Sequence, residues 1–174
     1  MTGLSEGQLQ VARLLFDLPE ARDFALAGGS ALLALGTIDR ATRDIDAFVA
    51  AKAETPPGNV GELAAALRDR LLAEGWAVEI DRRLVTFARF VVTRDAEAVE
   101  IDLAVDSPAL FPLEVVDGLP VLSGPDLAAR KVLEPKDATS PTSRRWPSSS
   151  RRTSASDGRG NSTPGSDHRT SQRR

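Results

Sequence analysis

The sequence predicts an α+β domain, in which helices pack against a sheet, followed by a disordered C-terminal tail. Apolar residues recur at helical spacing in residues 5–19 and 59–75. Candidate strands separated by short polar connections fill residues 76–105. Residues 134–174 contain no Leu, Ile, Val or Phe, so they cannot bury enough apolar surface to offset the entropy lost on ordering. We therefore divide the chain into a domain, 1–133, and a tail, 134–174.

The segments of the domain can be assigned in chain order. A capping-box pattern, Ser5-x-x-Gln8, predicts the start of the first helix, and Leu9, Ala12 and Phe16 mark its apolar face. The elements that follow are a buried strand (24–27), a Gly-Gly-Ser turn (28–30), a short apolar helix (31–35), a charged loop (39–43) and an alternating strand (44–49). The second half holds a surface loop (53–58), a helix (59–75), three strands (76–80, 85–93, 98–105) with hairpin connections at 81–83 and 94–97, a short strand (113–116) with a turn (117–118), and a helix starting at 123–126.

Composition excludes several classes of function. The length of 174 residues favours one domain, and no stretch is apolar and long enough to span a membrane, so we expect a cytoplasmic protein. There is no cysteine, and the one histidine is His168 in the tail, which excludes disulfides, thiolate metal sites and Ser-His-Asp triads. Catalysis would therefore need carboxylates, hydroxyls, Lys, Arg or a bound metal. The net charge of −3 divides into −8 for residues 1–133 and +5 for 134–174, which indicates two physically different segments.

Two carboxylates form the first candidate site. Asp44 and Asp46 are two residues apart on the strand at 44–49, so both side chains point to the same face. Such a pair suits Mg²⁺, which takes oxygen ligands and leaves places for substrate phosphates. Roughly one Asp-x-Asp should occur by chance in a chain this rich in Asp, so the motif alone carries little weight.

The turn Gly28-Gly29-Ser30 is a second, independent signal. Its glycines allow the backbone to approach a phosphate closely, and Ser30 could cap the following helix, whose N-terminus favours an anion. The same three residues would also suit a tight strand-to-helix turn that binds no ligand.

A later predicted strand carries a further pair of acidic residues, Glu100 and Asp102. Asp102 lies inside the apolar run 101–105, where a carboxylate needs a partner or a metal. Glu100 is expected to face solvent. We therefore add Asp102, but not Glu100, to the candidate metal ligands.

These residues together resemble a known superfamily. Gly28-Gly29-Ser30, then Asp44-Ile45-Asp46 on the next strand and Asp102 on a later one, resemble the DNA polymerase beta-like nucleotidyltransferases. Within that superfamily, GGSALLALG, RATRDIDAFV and DGLPVLSGPDLAARKVL look like the AbiEii-type toxin nucleotidyltransferases and their close relatives. The resemblance covers about residues 20–133, and it implies a nucleotidyltransferase-like mixed sheet flanked by helices.

The resemblance also implies a reaction and a set of roles. An acceptor hydroxyl would attack the α-phosphorus of a nucleoside triphosphate in line, with pyrophosphate leaving, and catalysis would rest on positioning and charge neutralisation. The acceptor would be RNA, notably tRNA, and a cognate antitoxin would be the protein partner. The implied residues are Asp44, Asp46 and Asp102 as Mg²⁺ ligands and catalytic groups, Lys131 as a further catalytic group, and Gly28, Gly29, Ser30 and Arg43 as nucleotide-binding groups.

The sequence departs from the family pattern after residue 133. That pattern continues past its lysine as a longer helix, whereas Glu134-Pro135 interrupts the helix here. The Ser-, Arg-, Pro- and Thr-rich remainder is typical of a GC-rich gene translated out of frame, so we hypothesise a frameshift near codon 134. The alternative is a genuine disordered basic tail that binds RNA phosphates. Loss of the C-terminal helices would put acceptor binding and activity in doubt.

Three functional classes are open at this point. The first is an Mg²⁺-dependent nucleotidyltransferase, which could be a toxin. The second is a catalytically inactive nucleotide-binding or antitoxin-like partner protein, which would bind a triphosphate without transferring it. The third is an unrelated α/β domain with a basic RNA-binding tail, whose RNA binding would survive Asp44→Ala and be lost on deleting residues 134–174.

Overall fold

The computed structural model describes residues 3–40, 42–50 and 59–133. Its strands are β1 (Phe24–Leu26), β2 (Asp44–Val49), β3 (Ala77–Arg83), β4 (Phe87–Arg94), β5 (Glu97–Ala104), β6 (Glu114–Val116) and β7 (Leu119–Val121). Its helices are α1 (Glu6–Phe16), α2 (Gly28–Ala34), α3 (Val60–Ala73) and α4 (Gly124–Leu133), with a 3₁₀ turn at Pro19–Ala21. The loop expected at 53–58 and the tail expected at 134–174 lie outside the described residues.

The strands form one mixed sheet in the order β3-β4-β5-β2-β1-β7-β6. The pairs β2–β5 and β1–β7 are parallel. The other neighbouring strands are antiparallel. This architecture confirms the predicted α+β class with a mixed sheet and flanking helices, and it places β2 at the centre of the sheet.

The first helix begins at the predicted capping box. Ser5 Oγ accepts a hydrogen bond from Gln8 N at 3.2 Å, and Gln8 Oε1 accepts one from Ser5 N at 2.9 Å. The most deeply buried face passes through Val11, the predicted Ala12 and Leu15, and leaves Leu9 and Phe16 only partly buried. The predicted helix is thus confirmed, but its buried face is rotated slightly from the expected one. The apolar face of a helix is wider than a single row of residues, and Leu9 lies at its border.

The second long helix, α3, also follows its sequence signals. Asn59 accepts hydrogen bonds from two backbone N–H groups of the first turn, at 2.9 and 3.2 Å. Leu63, Leu67 and Leu71 are completely buried. Gly75, with φ +82°, lies just beyond the end of the helix, where L-residues with a Cβ would be strained. None of the described helices is long and apolar enough to cross a membrane.

The core lies between the sheet and these helices. α1 and α3 contact each other and the sheet, α2 packs against β2, and α4 contacts α2. Along β2, Ile45 and Ala47 are completely buried whereas Asp44 and Asp46 are partly exposed, as the predicted alternation requires. The alternation thus directs both carboxylates of β2 away from the core.

The edge strand β3 is longer than expected. Residues 81–83 were predicted to be a hairpin connection, but β3 continues to Arg83. A register shift between Ile80 and Arg82 interrupts its pairing with β4. Because an edge strand has one unpaired side and is largely exposed here, it tolerates charged residues that would end a central strand.

The short strand β7 was not predicted. Pro120 lies in its middle, and proline within a sequence usually argues against a strand. Only Leu26 and Val121 are in register between β1 and β7, while β6 supplies the antiparallel neighbour. The predicted strand and turn at 113–118 thus form the first half of a β6–β7 hairpin.

Candidate functional site

Four carboxylates of the two central strands lie side by side. The parallel register of β2 and β5 puts Asp44 opposite Glu100 and Asp46 opposite Asp102. Neighbouring strands are about 4.8 Å apart, so both pairs emerge next to each other on one face of the sheet. We call Asp44, Asp46, Glu100 and Asp102 the acidic face. The structure brings together the three predicted aspartates and adds Glu100, which is partly rather than fully exposed to solvent.

Asp46 is held against the first turn of α2. The backbone N–H of Gly29 donates to Asp46 Oδ2 at 3.2 Å. Gly28 has φ +50°, and a Cβ added to it would stand 2.3 Å from the same oxygen. Glycine is therefore required at position 28, both for the backbone conformation and for the close approach of the carboxylate. A phosphate contact at Gly28 and Gly29 remains a prediction.

Ser30 has a different structural role from the expected one. The helix begins at Gly28, so Ser30 lies within its first turn, and the prediction that Ser30 caps the helix is wrong. Its Oγ donates to Ala27 O at 3.0 Å and accepts from Asp46 N at 3.1 Å, and the residue is completely buried. Ser30 thereby ties α2 to β2 beside the acidic face. Contact between Ser30 and a phosphate remains a prediction.

Arg89 on β4 is the residue of this site that sequence reasoning missed. It stands directly opposite Asp102 in the β4–β5 register. Its Nε donates to Asp102 Oδ1 at 2.6 Å and its second terminal nitrogen to Oδ2 at 2.5 Å, with both side chains largely buried. The partner that Asp102 was expected to need is thus Arg89. The signal was present in the sequence, since Arg89 is the one cation in the strand predicted at 85–93.

The electrostatics of the acidic face disfavour its full ionisation. Burial, followed by the charges of Asp102 and Asp44, raises the pKa of Asp46 from 3.8 to about 7. Hydrogen bonds from the backbone of Gly29 and Ser30 act in the opposite direction and offset only part of that shift. Asp46 is therefore a carboxylate that a nearby cation would stabilise strongly.

Asp44 and Glu100 show the same tendency. The pKa of Asp44 is raised by burial and by the charge of Asp102, against the opposing charges of Arg89 and Arg43. The pKa of Glu100 is raised by burial and by the charge of Asp44, against Arg89. The acidic face thus carries more negative charge than its own arginines neutralise, which favours binding of an external cation.

Comparison with known proteins identifies the family. A family model described as "Nucleotidyl transferase AbiEii toxin, Type IV TA system" matches residues 12–133, which is more than half of the chain. The chain belongs to the AbiEii nucleotidyltransferase toxin family. The predicted family is thereby confirmed, and the interpretation as an unrelated α/β domain is wrong. No match is found among curated protein sequences.

The fold of this AbiEii protein is similar to that of solved structures. It is similar to JHP933 from Helicobacter pylori, with a TM-score of 0.53 and 16% identity, over 78% of this chain and 60% of that chain. A second similar structure is MenT4, nucleotidyltransferase toxin Rv2826c from Mycobacterium tuberculosis H37Rv, with a TM-score of 0.43 and 17% identity, over 75% of this chain and 58% of that one. The chain thus spans about three fifths of the length of these proteins.

The side chains of the AbiEii protein fit a two-carboxylate magnesium site. Within the described residues, no group of three or more His, Cys, Asp or Glu side chains is arranged to hold a metal ion. Both oxygens of Asp102 accept hydrogen bonds from Arg89. Metal ligation by all three aspartates remains a prediction. Asp44 and Asp46 still fit, since Mg²⁺ is commonly held by one or two carboxylates together with substrate phosphates and water.

The two remaining candidate residues of the AbiEii protein lie at the edges of this arrangement. Arg43 is exposed, immediately precedes β2, and acts on the pKa of Asp44 through its charge. Lys131 is exposed in the last turn of α4, the helix that contacts α2. Their predicted roles in phosphate binding and catalysis remain predictions.

Proposed function

We propose that this chain is an Mg²⁺-dependent nucleotidyltransferase that moves a nucleoside monophosphate from a triphosphate to a hydroxyl of RNA, with tRNA as the preferred acceptor. We further propose that it is the toxin of a toxin–antitoxin pair and that a cognate antitoxin binds it. These substrates would place it in the cytoplasm. The single observation that supports the proposal best is the pair Asp44 and Asp46 on β2, with Asp46 held against the glycine turn of α2.

Each group of residues at the site would have its own role in this reaction. Asp44 and Asp46 would hold Mg²⁺, which when bound neutralises charge on the α-phosphate and on the leaving pyrophosphate. The turn at Gly28 and Gly29 would place backbone N–H groups near the triphosphate. Asp102, which accepts two hydrogen bonds from Arg89 in this structure, would complete the metal site and help to activate the attacking hydroxyl.

The second class, a nucleotide-binding partner protein that does not catalyse transfer, has one observation in its favour. Both oxygens of Asp102 accept hydrogen bonds from Arg89, so the third carboxylate is already paired with a cation of the chain itself. In that case the chain would bind a triphosphate with Mg²⁺ and transfer nothing.

Label transfer separates these classes. Each α-³²P-labelled nucleoside triphosphate is incubated with total RNA, Mg²⁺ and the protein, and the RNA is resolved on a denaturing gel. We compare the native sequence with Asp46→Asn and with the matched control Asp69→Asn, which removes an exposed carboxylate on α3. Transfer should survive in the control and fall by about a hundredfold or more in Asp46→Asn, because a lost metal ligand removes charge stabilisation from the transition state.

Periodate treatment identifies the acceptor group. Oxidation of the terminal 2′,3′-diol of tRNA removes the hydroxyl that would attack, so label should appear on untreated tRNA and not on oxidised tRNA. Label that persists after oxidation would contradict a terminal hydroxyl acceptor. Equal transfer by the native sequence and Asp46→Asn would contradict the proposed function itself, and triphosphate binding without any transfer would favour the inactive partner protein.

A further inference from the structure

Arg89 is more buried and makes more contacts than an arginine on the protein surface would. The β4–β5 register sets it opposite Asp102, and the side chains of the two residues are only 14% and 11% exposed. Two hydrogen bonds of 2.6 and 2.5 Å form the fork geometry that an arginine and a carboxylate favour. Its guanidinium also lies over the Phe87 ring, 5.7 Å from the ring centroid.

This pairing limits the positions at which Asp102 could bind a second ligand. A carboxylate has about four lone-pair positions, and a bidentate arginine takes one on each oxygen. A divalent cation at the remaining positions would stand close to the guanidinium charge and be repelled by it. Because Asp46 lies opposite Asp102, a cation held by Asp44 and Asp46 would be next to the same pair.

We propose that Arg89 competes with the metal ion for Asp102. Arg89 holds Asp102 in the metal-free protein and has to release it before Asp102 can ligate a divalent cation. The proposal rests on the proposed function, since it concerns metal loading of the same site. Arg89 is accordingly a positioning residue, because it acts through Asp102. Metal affinity in the native sequence is then lower than the carboxylates alone would give, and the third aspartate joins the metal only when the arginine moves.

The structure offers a matched control for the charge of Arg89. Arg82 stands opposite Arg89 in the β3–β4 register, one strand farther from Asp102, and it is exposed. Removing either arginine deletes one positive charge from the same part of the sheet. Only Arg89 is bonded to Asp102, so a difference between the two variants reports on the pair and not on general charge.

Mn²⁺ binding to the full chain, followed by electron paramagnetic resonance, tests the proposal without relying on catalysis. We expect Arg89→Met to bind Mn²⁺ about tenfold more tightly or better than the native sequence, because the hydrogen bonds between charged groups no longer have to be broken. Arg82→Met should stay within about threefold of the native affinity, as expected for an exposed charge. In an Asp102→Asn background, Arg89→Met should cause no further tightening, because the shared partner is gone.

Each other outcome has a definite meaning. Equal affinities for Arg89→Met and Arg82→Met, or weaker binding by Arg89→Met, would overturn the competition and make Arg89 a structural residue only. Absence of Mn²⁺ binding in every variant would overturn the proposed function, and the inference with it. Circular dichroism checks folding, and Arg89→Lys serves if Arg89→Met does not fold. Lysine keeps the positive charge but cannot form the two parallel hydrogen bonds of arginine, so Arg89→Lys should tighten Mn²⁺ binding by a smaller factor than Arg89→Met. Unchanged Mn²⁺ binding by Arg89→Lys would count against the proposal.

Discussion

Replacing Asp46 by Asn should stabilise the metal-free protein, and more at pH 8 than at pH 5. Burial and the charges of Asp102 and Asp44 raise the pKa of Asp46 from 3.8 to about 7. The folded chain therefore keeps a proton that the unfolded chain has released, so the free energy of unfolding falls as pH rises from about 4 through about 7. Asn carries no charge, and its side-chain oxygen can still accept the hydrogen bond from Gly29 N.

The size of the effect follows from proton linkage. A shift of about three pKa units corresponds to about 4 kcal/mol of destabilisation once the pH exceeds the folded pKa. At pH 5 the carboxylate is ionised in the unfolded chain and protonated in the folded one, so the destabilisation by Asp46 is only about 2 kcal/mol. The Asn variant should therefore gain about 2–3 kcal/mol more at pH 8 than at pH 5.

Urea unfolding followed by circular dichroism, in EDTA at both pH values, measures this difference. Asp69→Asn is the control, because its side chain is 68% exposed and the same substitution there should shift stability little and equally at both pH values. Added Mg²⁺ should stabilise the native sequence and not Asp46→Asn, if Asp46 is a metal ligand. The electrostatic reasoning is refuted if Asp46→Asn gains equally at both pH values or loses stability at pH 8.

Two further predictions concern the turn that supports the site. Gly28→Ala should destabilise the protein by about 1–2 kcal/mol through backbone strain and by about 1–3 kcal/mol more through collision with Asp46. The control is Gly36→Ala, because Gly36 has φ +66° and open space around it. In the same urea assay, Gly36→Ala should lose only the part that comes from backbone strain. Equal losses in the two alanine variants would show that the collision is relieved without cost. Ser30→Ala should lower the free energy of unfolding by about 1–3 kcal/mol, because the backbone N–H of Asp46 loses its acceptor; unchanged stability would mean that this N–H finds another partner.

Local patterns were sufficient to predict much of the fold. The capping box at Ser5, the leucine face of α3 and the alternation along β2 each depend on neighbouring residues, and the structure confirms all three. The spacing of Asp44 and Asp46 predicted their common face for the same reason. Assignment of these features needed no knowledge of which strands pair.

Features that depend on pairing could not be predicted in the same way. Arg89 contacts Asp102 only because β4 and β5 have one particular register, which short-range patterns do not specify. β7 contains Pro120 and exists as a strand because β1 and β6 flank it. The start of α2 at Gly28 combines a positive φ with a close approach to the Asp46 carboxylate, and the sequence shows neither, so it predicts Ser30 as the cap.

The parallel pairing of β2 with β5 has a consequence for the order of folding. β3, β4 and β5 are joined by short connections and can pair locally, and β2 can pair with β1. The parallel partner of β2, β5, lies beyond α3 and two further strands in the chain. Pairings between distant segments form slowly, because loop closure costs entropy before any contact is gained. We therefore expect that the acidic face does not exist on a nascent chain until β5 has left the ribosome, so a half-made chain would lack the activity that we propose.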